Sequence, residues 1–207
     1  MPLMGNYISF ARLINQPELL TMRQKLDLTR QIAEAFDAME HQKMLYPDPS
    51  AKNFLYKMEV DGSVTAAIID CDAIIPNGQK SCGILGTGKF RAPRVLLGAP
   101  PTFSDARHAC AAVLFQMLTG ANPLDGKRAQ SENETPDSVE RHWGTNPAFI
   151  FGDDTPNPCT EQVVIDRWNQ LPKPVRLFFQ LMFTPQNLCE GSNRPTFDVL
   201  LKLMCVA

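Results

Sequence analysis

Hydrophobic residues at helical spacing mark the longest regular element that the sequence predicts. Between positions 21 and 42, apolar side chains recur every three or four residues. They are Leu28, Ile32, Ala35, Phe36 and Met39. A pattern of this kind lines one face of a helix and leaves the polar residues to solvent. It predicts a long amphipathic helix over 21–42 with one buried face.

A second predicted helix is apolar on nearly every side. Residues 106–118 follow Ser104-Asp105, which suits a helix start, and precede Gly120, which suits a helix end. A helix without a polar face belongs inside a core. Shorter helices are predicted over 9–14, 174–183 and 196–204. The residues expected to face inward from the last two are Val175, Phe178, Phe179, Met182, Phe197, Leu200, Leu201 and Met204.

Two short segments have the composition of strands. Residues 54–58 and 64–69 contain β-branched and aromatic side chains, and they flank an Asp61-Gly62 turn. They predict a hairpin. The stretches 76–101 and 127–160 are rich in glycine, proline or small polar residues and are predicted to be irregular. The fold class is therefore mainly α with a small β-hairpin, in one domain.

Polar residues with oxygen donors lie on both sides of the hairpin. Asp48 and Asn53 are five residues apart just before it, and Asp70 closes it. Carboxylate and amide oxygens are suited to holding magnesium together with a phosphate. Taken singly, each residue is equally typical of a turn or a strand end, where it only caps local backbone.

Composition narrows the classes of function. With 207 residues, 44% of them hydrophobic and 20% charged, the chain is an ordinary globular protein. A net charge of −2 gives no reason to expect nucleic acid or a membrane surface as a partner. No apolar run is long enough to span a bilayer and no signal peptide is apparent, so a cytoplasmic location is expected.

Cysteines and histidines give no sign of a metal site. The six cysteines are dispersed, without a C-x-x-C pair, so zinc is not expected and reduced thiols are. His41, His108 and His142 lack partners at metal-ligand spacing. All three are predicted to be surface or helix-capping groups.

The order of short motifs resembles the C-terminal lobe of a protein kinase. The motifs are Asp48 with Asn53, Asp70-Cys71-Asp72, Ala92-Pro93-Arg94, Ser104-Asp105 before the apolar helix, and Arg194-Pro195-Thr196. The series covers nearly the whole chain. It is most similar to bacterial protein kinase-like proteins whose metal-binding Asp lies in an Asp-Cys-Asp sequence. The stretch 142–152 and the passage 168–172 share this likeness.

The resemblance implies a role for each polar residue around the hairpin. Asp48 would accept or orient the proton of a substrate hydroxyl. Asn53 and Asp70 would bind the Mg²⁺ that bridges the phosphates of ATP. Asp72 adds a carboxylate that either ligates metal or faces solvent. Lys52 either reaches the γ-phosphate or is a solvated lysine.

Other positions would support the nucleotide and the loops. Leu55 would lie under the adenine ring, and Leu3 with Met4 would form the hinge beside its edge. Asp105 would accept hydrogen bonds from the backbone of the catalytic loop. The chain then divides into a hinge-like start at 1–6, the catalytic loop and metal hairpin at 46–72, an activation-segment-like stretch at 73–101 and a helical subdomain at 104–207.

The family pattern is incomplete in this sequence. No Gly-x-Gly-x-x-Gly precedes the catalytic loop, so the N-terminal β lobe that grips the nucleotide is expected to be lacking. Tyr46-Pro47 stands where the family has His-Arg, which makes Ser81 and Thr87 poor sites for a phosphorylation switch. The family's glutamate partner of the arginine near the end of the domain is replaced by Arg94.

This replacement brings two arginines, Arg94 and Arg194, to positions that should face each other. Their bridge is therefore absent, or an acid such as Glu190 lies between them.

Two hypotheses follow. In the first, the chain takes part in ATP- and Mg²⁺-dependent phosphoryl transfer to a Ser/Thr-type hydroxyl, on a protein substrate for example, and needs an N-lobe. In the second, it is a pseudokinase or scaffold that binds without turnover. Both predict an exposed inter-lobe face, with Leu3, Met4, Leu55 and Ile69 partly uncovered, on which an N-lobe or a partner protein would dock.

Overall fold

A helix with little contact to solvent runs through the centre of the molecule. A computed structural model describes residues 6–76, 88–131, 133 and 135–205. In it the central helix, α4, spans Phe103–Thr119, and its residues are buried apart from four partly exposed ones near its polar side. Gly120 ends the helix with φ +96°, a left-handed conformation that glycine adopts without strain. The predicted buried helix is confirmed, with its start three residues earlier.

The fold is mainly helical, as predicted, and the predicted hairpin forms; a strand added to the hairpin and a second small antiparallel sheet were not predicted. The other helices are α1 Phe10–Asn15, α2 Met22–His41, α3 Pro93–Leu96, α5 Lys127–Gln130, α6 Pro136–Val139, α7 Gln162–Gln170, α8 Lys173–Met182, α9 Pro185–Cys189 and α10 Phe197–Cys205. The strands are β1 Ile8–Ser9, β2 Met44–Leu45, β3 Phe54–Met58, β4 Val64–Ile68 and β5 Ile75–Pro76. Within the described ranges, no helix combines the length and the apolar character that crossing a membrane would require.

The helix predicted over 21–42 is α2. Thr21 caps its first turn: the Thr21 backbone N–H donates to the Gln24 side chain at 2.9 Å, and the Gln24 N–H donates to the Thr21 hydroxyl. Leu28, Ile32 and Phe36 are buried on its inner face, which packs against α4, α10 and β4. Periodicity alone was sufficient here because the helix has one apolar face.

Aromatic rings fill the core between α4 and the last helices. Phe115 of α4 contacts Phe149, Trp168, Phe179 and Phe183, with ring centroids 5.3 to 6.3 Å apart and mostly tilted or edge-to-face. Of the residues predicted to face inward from α8 and α10, all are buried except two. The exceptions are Leu201 and Met204, which are partly buried.

The stretch predicted to be irregular over 127–160 contains two short helices and a π-helical turn at Glu140–Thr145. Trp143 in that turn is buried, and the Lys89 ammonium lies 4.9 Å from the centre of its ring. The side chain of Asn122 donates to the Lys89 carbonyl at 3.0 Å. These contacts attach residues 88–90 to the helical part of the molecule.

An acidic side chain, Asp105, holds the two arginines that were predicted to face each other. The Arg94 guanidinium lies 2.9 Å from one carboxylate oxygen, and the Arg194 guanidinium lies 3.0 Å from the other. The proposed Glu190 bridge is wrong, since Glu190 is exposed and pairs with Gln186. Asp105 lies in the first turn of α4, and its carboxylate lies between the two arginines.

The predicted role of Asp105 toward the catalytic loop is also wrong. Its remaining hydrogen bonds come from the Thr102 backbone N–H at 2.9 Å and the Thr102 hydroxyl at 2.7 Å. The carboxylate therefore caps α4 and neutralises arginines instead of contacting residues 46–53. Both it and the Arg194 side chain are almost completely buried.

Two histidines lie inside the protein, contrary to the sequence-based expectation. His41 is exposed, as predicted, but His108 and His142 are buried. The His108 ring packs edge-to-face on Phe183 at 5.3 Å. Burial lowers the pKa of His108 well below its usual value, and the nearby Arg194 cation lowers it further. The five described cysteines carry free thiols, consistent with the prediction.

Replacing Asp105 tests the buried charge cluster. Asp105→Asn should lower the free energy of unfolding by about 3 kcal/mol, because removing one partner of a buried ion pair leaves buried charge uncompensated. Asp198→Asn is the control: Asp198 pairs with Lys202 at 2.7 Å on an exposed face. That change should cost less than about 1 kcal/mol. Urea unfolding followed by circular dichroism measures both, and equal losses would contradict the buried pairing.

Acid should destabilise the fold through His108. Its pKa is lower in the folded state than in the unfolded chain, so protons bind preferentially to the unfolded chain as pH falls below 6.5. Stability should therefore be fully present above pH 6.5 and fall by up to about 1.4 kcal/mol per pH unit below it. Urea unfolding at several pH values between 7.5 and 5.5 measures this slope. His108→Leu should reduce the slope and His41→Gln should leave it unchanged; an unchanged slope in His108→Leu would rule His108 out as its cause.

Candidate functional site

Two antiparallel strand pairs bring the polar loops together. β3 pairs with β4, and β2 pairs with β5. In sequence order, the β3–β4 pair therefore lies between β2 and β5. Leu45 is opposite Ile75, and Phe54 is opposite Ile68. The segments between the pairs, 46–53 and 69–74, must therefore lie side by side. We call them the catalytic-loop segment and the metal-loop segment.

Hydrogen bonds join the two segments directly. The Ile69 backbone N–H donates to the Asn53 carbonyl at 2.9 Å. The Tyr46 hydroxyl donates to the Ile69 carbonyl, also at 2.9 Å. Both polar groups of Ile69, the residue before Asp70, are thus held by the catalytic-loop segment. This arrangement fixes the start of the metal-loop segment.

Tyr46 lies between the catalytic-loop and metal-loop segments. Its side chain is buried, with the Phe36 ring edge-to-face at 5.9 Å. Burial raises the pKa of Tyr46; the Asn53 side chain opposes the rise, and the Asp70 and Asp48 carboxylates add to it. The roles of Asp48, Asn53 and Asp70 stay a prediction.

Asp70 has an uncommon backbone conformation. Its φ is +61° and its ψ is +40°, in the left-handed region that non-glycine residues seldom occupy. It precedes a 3₁₀ turn at Cys71–Ala73, and both Asp70 and Asp72 are exposed. Conformations of this kind persist where neighbouring contacts hold them, often at functional sites. Both carboxylates are accessible to a ligand.

Asn53 is oriented by its amide nitrogen. Nδ2 donates to the Asp48 backbone carbonyl at 3.4 Å. With the nitrogen directed to this acceptor, the Oδ1 oxygen is the atom available for a cation. The donor set of Asn53, Asp70 and Asp72 consists of oxygens, which suits Mg²⁺. Among the described residues, no three His, Cys, Asp or Glu side chains form a metal cluster, so such a site depends on the asparagine.

An arginine that was not predicted interacts electrostatically with Asp48. Burial lowers the pKa of Arg91, and the Asp48 carboxylate opposes that change. Arg91 follows the 3₁₀ turn Gly88–Phe90. In the sequence, Arg91 is only the residue before Ala92-Pro93. No local pattern connects it with Asp48, which lies 43 residues earlier. Lys52, by contrast, is exposed.

The remaining predicted positions lie at the edge of this site or outside the described residues. Leu55 and Ile69 are half-buried. Leu55 is opposite Ala67 on one side and Ser9 of β1 on the other, so the beginning of the described chain runs beside it. Leu3, Met4, Ser81 and Thr87 fall outside the described residues.

The exposed candidate residues of the site are Lys52, Asp70 and Asp72. Two open grooves of about 710 and 620 Å³ lie elsewhere. The first is between the start of α2, the Asp61-Gly62 turn and the end of α10, and the second is between α8, α9 and residues 145–156. Neither is lined by residues of the catalytic-loop or metal-loop segments.

Comparison with known proteins identifies protein kinases as relatives. The chain is 26% identical over 198 residues to a probable serine/threonine-protein kinase, gdt4, from Dictyostelium discoideum. It is 27% identical over 105 residues to 3-phosphoinositide-dependent protein kinase 1 from Arabidopsis thaliana, and 27% identical over 95 residues to cGMP-dependent protein kinase 2 from Rattus norvegicus. No protein-family model matches the chain.

The extent of these matches differs. The first covers 92% of this chain, and the other two cover 46% each. The chain spans only 10%, 21% and 12% of the lengths of these three relatives. At this level of identity the relatives support a protein kinase-like chain in general. The bacterial subgroup with the Asp-Cys-Asp sequence stays a prediction.

Proposed function

We propose that this chain provides the acceptor and metal side of a protein kinase-like phosphotransferase, which transfers a phosphoryl group from ATP to a Ser/Thr-type hydroxyl. One observation carries the proposal. The Asn53 amide nitrogen donates to the Asp48 carbonyl, and the Asn53 carbonyl accepts from the Ile69 N–H directly before Asp70, in the order that kinases use for the base and the metal ligands. The low-identity kinase relatives support the same reading.

Each side chain has a defined task in this proposal. The Asp48 carboxylate orients the acceptor hydroxyl and accepts its proton. Asn53 and Asp70 hold Mg²⁺, with Asp72 as a further oxygen ligand. When bound, Mg²⁺ neutralises charge on the phosphates. Lys52 is exposed and can extend toward the γ-phosphate.

Nucleotide binding would use the edge of the hairpin. Leu55 is half-buried and provides an apolar surface for the adenine ring. We propose that Leu3 and Met4 supply the hinge groups beside it. This chain would then cover only one side of the adenine ring.

Solvent exposure of candidate residues is the reason why a second lobe is proposed. Phosphoryl transfer depends on holding both sides of the phosphates and on excluding water. Here Lys52, Asp70 and Asp72 are exposed, so water reaches both loop segments. We propose that an N-lobe or a partner protein docks on the face that includes Leu55 and Ile69. Without it, turnover should be negligible.

A pseudokinase or scaffold is the second candidate function. The observation that favours it is the electrostatic attraction between Arg91 and the Asp48 carboxylate, which opposes the lowering of the Arg91 pKa by burial. A cation at this position competes with a substrate hydroxyl for the same oxygens. While Arg91 interacts with Asp48, the chain could bind nucleotide or a partner but would not transfer a phosphoryl group.

Metal and phosphate assays distinguish these functions. Mn²⁺, a spectroscopic substitute for Mg²⁺, should bind the wild-type chain, and Asp70→Ala should bind it at least tenfold more weakly because an oxygen ligand is lost. Asp61→Ala is a matched control, since Asp61 lies in the hairpin turn and bonds only Ser63. Electron paramagnetic resonance titration measures free Mn²⁺. Equal binding by wild type and Asp70→Ala would overturn the metal site.

Radiolabelled ATP tests turnover. The isolated chain should incorporate no label above background into itself or into a general acceptor protein. Incorporation that Asp70→Ala abolishes would show that the chain needs no covering lobe. The chain could bind metal and still show no turnover. If neither Arg91→Ala nor the addition of a covering lobe then produced turnover, the pseudokinase function would be favoured.

A further inference from the structure

We propose that the groove of about 620 Å³ between α8, α9 and residues 145–156 is a docking site for a basic, amphipathic segment of a partner protein. This groove is lined by neither the catalytic-loop nor the metal-loop segment, so its role does not rest on the proposed function. The bound segment carries two apolar side chains one helical turn apart and a lysine or arginine beside them. Three features of the groove support this occupant: fixed walls, uncovered leucines and unpaired carboxylates.

Two buried asparagines hold the walls of the groove. Behind one wall, Asn157 Nδ2 donates to the Leu124 carbonyl at 2.8 Å and to the Ala148 carbonyl at 3.1 Å. In the other, Asn187 Nδ2 of α9 donates to the Leu181 carbonyl of α8 at 2.8 Å. The two asparagines are 1% and 4% exposed. Because buried amides with satisfied hydrogen bonds keep these segments in place, the groove is formed before a partner binds.

Two leucines of α8 line the groove and are not covered. The inner face of α8 is buried, but Leu177 and Leu181 are 45% and 42% exposed. They are four residues apart, so they lie on the same side of the helix. In the wall formed by residues 145–156, Phe151 is half-buried and stacks on Trp168 at 4.7 Å. An amphipathic helix places apolar residues of the same spacing into an apolar groove of this kind.

Two carboxylates make the groove selective for a cation. Asp153 and Asp154 line it and are exposed, and neither forms an ion pair or a hydrogen bond with another described residue. Arg128, which lines the same groove, donates to the Asn146 carbonyl instead. Complementary charge steers a partner to its site, and like charge excludes the wrong partner. The bound segment should therefore contain Lys or Arg and avoid Asp and Glu.

Selection from a random peptide library tests the docking site. The library displays cysteine-free peptides of about 16 residues, enough for four helical turns, and is panned on the full wild-type chain. Enriched peptides should carry two apolar residues three or four positions apart and at least one Lys or Arg. The most enriched peptide is synthesised, and fluorescence polarisation measures its Kd. No enrichment, or enrichment of peptides without this pattern, would overturn the proposal.

Cysteine alkylation locates the bound peptide. Cys189 lines this groove and is exposed, whereas Cys205 is exposed in the other groove, beside the start of α2. Saturating peptide should slow the reaction of Cys189 with iodoacetamide severalfold and leave the rate at Cys205 unchanged, because thiol reactivity depends on access. Mass spectrometry measures both rates. An unprotected Cys189 would place the peptide elsewhere and contradict the assignment.

Leu181→Ser removes an apolar contact, and Val163→Ser is its matched control. Val163 is 51% exposed on α7 and does not line the groove. Leu181→Ser should raise the Kd of the peptide about tenfold, which is the loss expected for one leucine contact. Leu177→Ser is a second variant with the same expected direction, and Val163→Ser should bind like wild type. Circular dichroism checks that each variant is folded. Wild-type affinity in folded Leu181→Ser or Leu177→Ser would show that the leucines take no part.

The charge of the groove is tested by changing Asp153 and Asp154 together to Asn, which also tolerates the φ of +50° at Asp154. This double variant should raise the Kd about threefold at low salt and less at high salt. Asp166→Asn combined with Asp198→Asn is the control, because it removes the same charge from α7 and α10, outside the groove. If both double variants change the Kd equally, the effect is one of net charge, and a basic partner segment is wrong.

A second copy of the chain is the other occupant that the experiments must separate. Sedimentation equilibrium should show a monomer for the wild-type chain. A dimer that Leu181→Ser dissociates and Val163→Ser does not would assign the groove to self-association and overturn the proposal.

Discussion

The candidate site depends on one constraint: β2 pairs with β5, and the paired strands β3 and β4 lie between them in the sequence. β2 and β5 are too short to be stable alone, and so is the β3–β4 hairpin. Packed on α2 and on the aromatic core, they force segments 46–53 and 69–74 into contact. The hydrogen bonds of Ile69 and Tyr46 then join the segments. Residues far apart in sequence thereby share one small volume.

The helical part of the molecule anchors the segment that follows the site. Asp105 joins the start of α4 to Arg94 in α3 and to Arg194 before α10. On the other side, Lys89 contacts the Trp143 ring. These contacts of unmodified side chains hold residues 88–97 in place. Arg91, whose pKa is affected by the Asp48 carboxylate, lies within this segment.

Structure and relatives support the kinase-like reading in different ways. The relatives are similar in sequence at 26 to 27% identity, and they say nothing about which side chains meet. The structure joins the Asn53 side chain to the Asp48 carbonyl, and the Asn53 carbonyl to the Ile69 N–H directly before Asp70. Because Lys52, Asp70 and Asp72 are exposed, water would weaken their electrostatic interactions until something covers them.

Much of the fold and the polar grouping could be predicted from the sequence. Helices α2 and α4 followed from periodicity, since helix spacing is a local property. The predicted hairpin also forms, and it brings the segment of Asp48 and Asn53 beside that of Asp70. The roles of these residues stay a prediction. Where the sequence was read as irregular, over 127–160, short helices form because buried anchors such as Trp143 hold them. Their propensity alone is too weak to predict them.

Tertiary structure alone decided which charges pair and which polar groups are buried. Asp105, not Glu190, lies between the two arginines, and His108 is inside the core. The Tyr46 hydroxyl donates to the carbonyl of Ile69, which is 23 positions away. A sequence lists the charged and polar groups, whereas their partners depend on long-range packing that brings distant segments within a few ångströms. The sequence thus determined the helices, the hairpin and the ligand types, and the packing decided how the site is held.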